Sequence, residues 1–479
     1  MSRSPTAAGR SSLATWWWGT SAGAVPFLLA VTLLGRAAQN MGQTTYPLLA
    51  RDRLHVANDT LGVLTALAGL AGVATSAFLT ARIPSRRALW AITAGQAVTL
   101  ASFVLLALPT GLPGLWLAAA ALGIGGGLVF PATMTAIGSG PQGQRARSLA
   151  VYALSLSAGL VVGPLAEAAV LHLLHERLRD AFAALLPLPL LATLLVASAA
   201  RRHGGGLPGP AADGGSPLRP TPFHNDAHKL HNASEEALGP RSPSSFGSAE
   251  STEADTPLTT LPGGQPLPAP HDRSSRRPRP HRRPHPPLWR HPAFRLALLT
   301  LLTYQAPFAA LVTFGGLLGR HVDGVSAAGV EVGFGAFFTV SFLIRALVAA
   351  HSPLRHPRLV LTGSLAATVL GLLLLAGGPG SLSFFAALAV LGAPHGVTFP
   401  LASATLAEGT DPGLLARANA RMMATANLVT ILVPLACGAL ASAFGYRVMF
   451  LTVETPVLAT ALGLALERRP RPAAEPGSA

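Results

Sequence analysis

Long apolar runs with few charges recur along the chain. A bilayer core about 30 Å thick is crossed by roughly 20 residues of helix, and twelve runs approach or exceed that length. Internal prolines do not exclude these runs, because neighbouring helices can satisfy the backbone groups that a proline frees. The runs cover residues 24 to 48, 60 to 81, 88 to 108, 113 to 137, 148 to 171, 181 to 199, 294 to 318, 330 to 350, 358 to 376, 382 to 406, 419 to 443 and 447 to 466. The pattern predicts an all-α polytopic membrane protein with twelve transmembrane helices.

One long interruption divides the runs six and six. It covers residues 200–293, and 18 of the 41 prolines of the chain lie within residues 201 to 292. A segment without hydrophobic periodicity cannot bury enough apolar surface to offset its ordering entropy, so we expect a disordered cytoplasmic linker. The predicted organisation is an N-terminal arm (1–23), a six-helix half (24–199), the linker (200–293), a second six-helix half (294–466) and a C-terminal tail (467–479).

Composition changes what the charge means. The net charge of +15 would suggest a nucleic-acid partner in a soluble protein, but only 11% of residues are charged, against about 25% in soluble domains. The arginines are spread between the apolar runs. Fourteen fall on the side of the termini and six on the other side, and basic residues favour the cytoplasmic side. We therefore expect an inner-membrane protein with both termini cytoplasmic, membrane lipids as its surroundings and no nucleic-acid partner.

The two halves also resemble each other in sequence. At an offset of 269 residues, Phe130-Pro131 of the fourth run aligns with Phe399-Pro400 of the tenth. At an offset of 270, Pro164 aligns with Pro434. Because each half has an even number of spans, both keep the same orientation in the membrane, which predicts two parallel repeats with a binding site near the midplane between them.

With these motifs the chain resembles the major facilitator superfamily. The resemblance is carried by the fourth run, by Gly159, Gly163 and Pro164, which match the GxxxGP core of the fifth-span antiporter motif, and by Arg82 and Arg86, which match basic positions of the loop between the second and third spans. It implies a conformational role for these residues, alternating access, and an exporter of the drug and metabolite proton-antiport type. Ala81 replaces the family's aspartate in that loop, which implies a weaker or different lock of the outward-facing state.

Polar residues inside the runs are the candidates for substrate binding. A charge at the bilayer centre is expensive and needs a partner or a wet cavity, and Arg36 lies near the middle of the first run. Gln39, Asn40 and Gln43 share its helix face through i, i+3, i+4 and i+7 spacing. This stripe either lines a cavity or forms a structural network between helices. Tyr304, Gln305 and His395 complete the predicted substrate-binding set, and Arg36 would suit a small organic substrate that is anionic or amphipathic.

Three residues are candidates for proton coupling. His395 titrates near neutral pH in its unperturbed state, and Glu167 and Glu454 are carboxyl groups within apolar runs. A structural hydrogen bond is the alternative role for each. Arg345 lies near the inner end of the eighth run, where we expect it to snorkel or to pair at the membrane interface.

No catalytic residues, metal site or cofactor are predicted. The chain has no GxxxxGK[ST] motif for nucleotide binding, and its short loops carry only scattered carboxylates. We therefore expect a monomeric secondary transporter of a small molecule, with protons as the coupling ion. An uptake symporter, a membrane-embedded enzyme and a non-transporting membrane sensor remain alternatives.

Deleting residues 210 to 270 should distinguish a transporter from a sensor. The segment lies outside the predicted spans, so a transporter should keep its rate of solute movement in everted membrane vesicles. A sensor that works through the linker should lose its function in the same variant.

Overall fold

The computed structural model describes residues 24–138, 142–202, 288–351 and 356–466. These residues are almost entirely helical, and none of them forms a strand. The predicted arm, tail and most of the predicted linker (residues 203–287) lie outside the described residues.

The first half contains six membrane-spanning helices. The second continues through a π-helical turn at Thr75–Leu79, and the sixth is built from two consecutive helices, Leu178–Leu185 and Pro187–Arg202. Their bounds are α1 Ala24–Leu54, α2 Asn58–Leu79, α3 Ala88–Ala107, α4 Gly111–Gly138, α5 Gln142–Leu173 and α6 Leu178–Arg202.

The second half contains the other six. The helix Pro412–Leu466 is interrupted at Gly445, which has a φ of 81°. This left-handed conformation favours glycine, and it divides the helix into two spans. The bounds are α7 Pro292–His321, α8 Ala327–Ala350, α9 Pro357–Gly377, α10 Gly380–Gly409, α11 412–444 and α12 446–466. The predicted all-α polytopic fold is therefore confirmed for the described residues. Ten of their helices, with Pro412–Leu466 counted as one, are long and apolar enough to cross a membrane, in keeping with the twelve predicted spans.

The halves meet through two equivalent helix pairs, α2 with α11 and α5 with α8. The two pairs are related by the repeat, because α8 is the counterpart of α2 in the second half and α5 is the counterpart of α11 in the first. Parallel six-helix repeats require this equivalence. We call the membrane face that bears residues 24 and 466 the terminal face, and the opposite face, with the α1–α2, α5–α6 and α7–α8 connections, the far face. The sequence predicts the terminal face to be cytoplasmic.

Helices begin and end beyond the apolar runs, and this changes the position of two groups of charges. Arg51 and Asp52, which follow the end of the first predicted run at residue 48, belong to the last turns of α1. Glu331, at the edge of the eighth predicted run (330 to 350), lies one turn inside α8 and is fully buried. The physical reason is the cap at Ser326, whose side chain accepts the backbone N–H of Gly329 and fixes the start of α8 at Ala327.

The glycines of α4 serve packing within the first half. A methyl group at Gly123 would lie 2.0 Å from the carbonyl oxygen of Ala68, and one at Gly127 would lie 2.4 Å from that of Gly72. These glycines let α4 approach α2 closely within the first half.

Close contact between the halves is found at Gly62 of α2. A methyl group there would lie 2.3 Å from the carbonyl oxygen of Pro434 on α11. Gly62→Ala should therefore destabilise this state by about 1–3 kcal/mol through overpacking, measured as a lower unfolding temperature of the purified protein.

Gly363→Ala is the matched control. No atom lies within 4 Å of a methyl group at Gly363 on α9, so its unfolding temperature should stay equal or rise slightly. Equal unfolding temperatures for the two variants would contradict the close packing of α2 against α11.

Candidate functional site

Arg36 of α1 lies against α4 and α5. Its guanidinium carbon stands 4.9 Å from the centre of the Phe130 ring on α4, a cation–π distance. Tyr152 of α5 is an electrostatic neighbour, and its hydroxyl donates to the carbonyl oxygen of Phe130 at 3.3 Å. Among the described residues, no carboxylate lies within ion-pair distance of Arg36. Of the groups that the structure describes, the Phe130 ring and the Tyr152 side chain are therefore the ones that stabilise this charge.

The rest of the predicted stripe faces the same two helices. Gln39 is buried beside Gly126 of α4, and its Nε2 has no hydrogen-bond partner among the described residues. Asn40 donates from Nδ2 to the carbonyl oxygen of Leu160 on α5 at 3.2 Å. Gln43 is half-buried. Asn40 thus has the structural role that was the alternative for this stripe, while Gln39 keeps a free donor.

The GxxxGP residues explain why α5 lies so close to Arg36. A methyl group at Gly159 would lie 2.8 Å from Cβ of Arg36, and one at Gly163 would lie 2.8 Å from the carbonyl oxygen of Ala37. Pro164 lies inside α5. These glycines bring the backbones of α1 and α5 together and hold the base of the Arg36 side chain.

His395 stands in an aromatic cluster of the second half. Its ring stacks on Phe308 at 4.6 Å between centres and lies 5.2 Å from Phe337 and 5.8 Å from Phe338. The Nδ1 atom and the hydroxyl of Ser341 on α8 are 2.7 Å apart. The ring is half-buried, with one nitrogen engaged and the other not hydrogen-bonded among the described residues.

Tyr304 and Gln305 are used for packing within the second half. The Tyr304 hydroxyl donates to the carbonyl oxygen of Leu391 on α10 at 2.8 Å. Gln305 Nε2 donates to Thr430 Oγ1 on α11, also at 2.8 Å. The centre of the Tyr304 ring lies 6.0 Å from that of the His395 ring, so the Tyr304 ring packs at the edge of the site.

Arg345 is the site residue that sequence reasoning placed wrongly. Instead of snorkelling at the interface, it turns toward the centre of the molecule. Its NH1 donates to Ser157 Oγ of α5 at 3.2 Å and its NH2 to the carbonyl oxygen of His395 at 3.4 Å. The electrostatic neighbours of Arg36 include Arg345, and those of His395 include both arginines. The direction of the Arg345 side chain follows from the packing of α8 against α5. Its position along the sequence of α8 gives only its depth in the membrane.

Two buried carboxyl groups lie on the far-face side of this centre. Glu331 of α8 accepts hydrogen bonds from the hydroxyls of Thr44 and Thr45 on α1, each at 3.0 Å. Glu167 of α5 is fully buried beside Thr45 and Glu331, and neither of its oxygens has a hydrogen-bond partner among the described residues. The Ser326 cap starts α8 before the predicted run at residue 330 and so places Glu331 a full turn inside the helix.

The remaining predicted residues lie apart from this centre. Glu454 on α12 is half-buried, and its Oε1 has no partner among the described residues. Arg82 donates to the carbonyl oxygen of Phe78 at 2.7 Å and so caps the end of α2, and Arg86 is exposed in the α2–α3 connection.

Charged side chains join the halves at the far face. Arg320 of α7 bonds Glu176 in the α5–α6 connection at 2.8 Å and Asp52 of α1 at 3.4 Å. His321 Nε2 lies 3.0 Å from the other oxygen of Asp52. A depression of about 660 Å³ opens beside these residues. We call Asp52, Glu176, Arg320 and His321 the far-face cluster.

Glu176 in this cluster is stabilised as a carboxylate. Burial would raise the pKa of Glu176, but hydrogen bonds from Ser326 and Ala327 at the start of α8, with the positive charge of Arg320, hold that pKa below its ordinary value. A carboxylate at a helix N-terminus is favoured by the helix dipole. Glu176 thereby ties the first half to α8 of the second.

Hydrogen bonds from α2 also join the two halves at the far face. The Tyr446 hydroxyl, at the start of α12, donates to Asn58 Oδ1 at 2.6 Å. The backbone N–H of Asp59 donates to Ser442 Oγ of α11 at 3.2 Å. The hydrogen bonds and ion pairs between side chains of the two halves thus concentrate from the centre to the far face among the described residues.

Comparison with known proteins places this geometry in context. The sequence matches the profile of the Major Facilitator Superfamily over residues 28–408 and 352–479. No curated protein matches the sequence.

Many solved structures share the fold. A POT family transporter in complex with a thioalcohol-conjugated peptide has a TM-score of 0.64 and 12% identity, with 92% of this chain and 96% of the other covered. The nucleoside transporter NupG has a TM-score of 0.60 and 13% identity over 92% and 98%. A bacterial homolog of the human lysosomal transporter Spinster, inward-facing and occupied, has a TM-score of 0.59 and 13% identity over 93% and 96%. At these identities the likeness shows the fold alone.

The far-face cluster generates a pH prediction. Because the folded-state pKa of Glu176 is lowered, its contribution to stability is present above the unfolded pKa of about 4.3 and is lost as pH falls through the folded value. Glu176→Gln should lower the unfolding free energy by about 1 kcal/mol or less at neutral pH. The deficit should disappear in acid, as measured by thermal unfolding at a series of pH values.

Asp180→Asn serves as the control, because Asp180 forms only an exposed pair with Arg177 at 3.7 Å within the first half. It should change the unfolding temperature little. A deficit of Glu176→Gln that stays constant down to strongly acidic pH would show that Glu176 does not act as a carboxylate here.

Proposed function

Because the chain belongs to the major facilitator superfamily, and is therefore a membrane transporter, we propose that it exports a small organic anion in exchange for protons. Transport proceeds by alternating access, with the two halves opening in turn toward each face. The proposal rests above all on one observation, the pair of central arginines contributed by the two halves.

Arg36 comes from the first half and Arg345 from the second, and each lies within the electrostatic field of the other. Among the described residues, Arg345 is held by a serine hydroxyl and a backbone carbonyl at 3.2 and 3.4 Å. Two like charges in a region of low dielectric repel each other strongly. An anion between them would remove this repulsion and accept hydrogen bonds from both guanidinium groups, so anion binding and approach of the halves favour each other.

The surroundings of the arginines favour an organic anion over a small inorganic one. The Phe130 ring lies against Arg36, and Phe308 and Phe337 lie against His395. Aromatic walls with a few fixed polar groups are typical of sites that bind small organic ligands. Gln39, with its free Nε2, supplies a further donor.

The closed far face supports a model of the transport cycle. In the orientation predicted from the arginines, the contacts that join the halves at the far face lie on the outer side of the membrane. The far-face cluster would have to separate for release outside. The predicted set of proton carriers is His395, Glu167 and Glu454, of which Glu167 has the most enclosed carboxyl group.

Direction is inferred from the GxxxGP element. Gly159 and Gly163 place α1 and α5 in direct contact, as suits the antiport motif that they resemble. Ala166 and Glu167 stand where that motif has two more glycines, and this favours uptake by symport as the second candidate.

Removal of either arginine should weaken anion binding. We expect Arg36→Gln and Arg345→Gln to weaken binding roughly 10- to 100-fold, the cost of a hydrogen bond to a charged group. Bound ligand raises the unfolding temperature by mass action, so thermal stabilisation by a panel of monocarboxylates, phosphate monoesters and phenolates measures the effect. The neutral amides and esters of the same compounds test the requirement for charge.

Arg358→Gln provides the control, since Arg358 is exposed at the start of α9. It should bind the panel as the unchanged protein does. Stabilisation by neutral or cationic solutes alone, or anion binding that both central variants retain in full, would exclude the proposed function. Movement of a bound anion into everted vesicles that ignores the proton gradient would exclude proton coupling.

A further inference from the structure

Glu167 and Glu331 form a buried carboxyl pair across the two halves. Glu167 belongs to α5, Glu331 belongs to α8, and the exposed fraction of each residue is 0%. The two helices approach closely beside the pair, since a methyl group at Gly335 would lie 2.4 Å from Leu165 Cδ2. Any charge on this pair is therefore removed from water on both sides.

The neighbouring threonine hydroxyls have too few hydrogens to donate hydrogen bonds to two carboxylates. A carboxylate only accepts hydrogen bonds, and a threonine hydroxyl has one hydrogen to donate. The hydroxyls of Thr44 and Thr45 both reach Glu331. The Thr45 hydroxyl is near both carboxyl groups, but its one hydrogen is directed to Glu331, and neither Glu167 oxygen has a partner within hydrogen-bond distance among the described residues. A proton on Glu167 would supply the missing hydrogen and make Glu167 a donor itself.

Within the part of the chain that the structure describes, no cation pairs with these two carboxyl groups. On the neighbouring helices, Arg36 lies against Phe130, and Arg345 bonds Ser157 and the His395 carbonyl. Arg320, His321, Asp52 and Glu176 are engaged with one another in the far-face cluster. No arginine or histidine of the described residues forms an ion pair with Glu167 or Glu331. An uncompensated buried charge is very costly, and like charges side by side add to that cost.

We propose that Glu167 and Glu331 are a proton-binding latch, in which shared protons hold α5 against α8 and keep the far face closed. This inference rests on the proposed function, because it assigns the proton site of the same transporter. It adds Glu331, and it gives the proton a mechanical role in the closure of the halves.

The proton balance of the latch is simple. When water enters from the far face, the O–H bond of the carboxylic acid breaks, the proton passes to that water and the electron pair stays on the carboxylate. Two hydrated carboxylates then repel each other and keep α5 and α8 apart. Proton uptake from far-face water reverses these steps and allows the pair to be buried again.

A distance measurement across the far face tests the latch. Leu173 at the end of α5 and Val322 in the α7–α8 connection are exposed and lie on different halves. Spin labels at Leu173→Cys and Val322→Cys, with Cys437→Ser to remove the native thiol, report the separation of the halves. The full-length protein is measured without any organic anion, from acidic to alkaline pH.

The labelled protein should show a longer distance as pH rises, because the latch loses its protons. The double variant Glu167→Gln with Glu331→Gln, which imitates the protonated pair, should remain closed at every pH. Infrared spectra of the closed unlabelled protein should contain the carbonyl band of a buried carboxylic acid, and this band should be lost in the double variant.

Two controls separate other titrating groups. His321→Gln removes the histidine of the far-face cluster, whose Nε2 lies 3.0 Å from Asp52, and Glu408→Gln removes an exposed carboxyl on α10. The pH response should survive in both. A double Gln variant that still opens with pH, an absent carboxylic acid band, or opening controlled by sodium at constant pH would overturn the proposal. Anion binding is not measured here, so failure of the latch and failure of the proposed function are distinguishable.

Discussion

A charge inside a bilayer must be compensated by a partner, and this requirement governs the arrangement of the whole molecule. Cations and carboxyl groups are both present in the core, yet they do not neutralise each other. Arg36 and Arg345 lie near the centre, while Glu167 and Glu331 lie toward the far face. The helices supply only aromatic faces, hydroxyls and backbone carbonyls to these groups. The missing compensation can come from an anion at the arginines and from protons at the carboxyl groups.

The same requirement links the two sites to the movement of the halves. Each pair has one member in each half, so the energy of its compensation depends on how the halves approach each other. An anion favours closure around the arginines, and protons favour closure of α5 against α8. Small residues make this approach possible, as Gly62 does for α2 and α11 and Gly335 for α5 and α8. Ligand chemistry and conformational change are therefore coupled through packing.

The sequence alone predicts the fold well, because hydrophobic length and the repeat of Phe130-Pro131 as Phe399-Pro400 report directly on spans and symmetry. Arg36 is also recognisable, since a single charge stands out in an apolar run. Arg345 and Glu331 illustrate the limit of such reasoning. The direction of Arg345 depends on the packing of α8 against α5, and the contacts of Glu331, at the edge of the eighth predicted run, depend on a helix start that lies before that run. Contacts between distant helices, such as Glu331 with Thr44 and Thr45, leave no periodic trace in the sequence.

The most direct test of the central claim is a structure of the protein bound to a ligand identified by thermal stabilisation. The account predicts that an anionic group of this ligand lies between the guanidinium groups of Arg36 and Arg345 and accepts hydrogen bonds from both. The organic part should lie against Phe130 or the rings around His395. A neutral or cationic ligand, or a ligand bound away from both arginines, would contradict it.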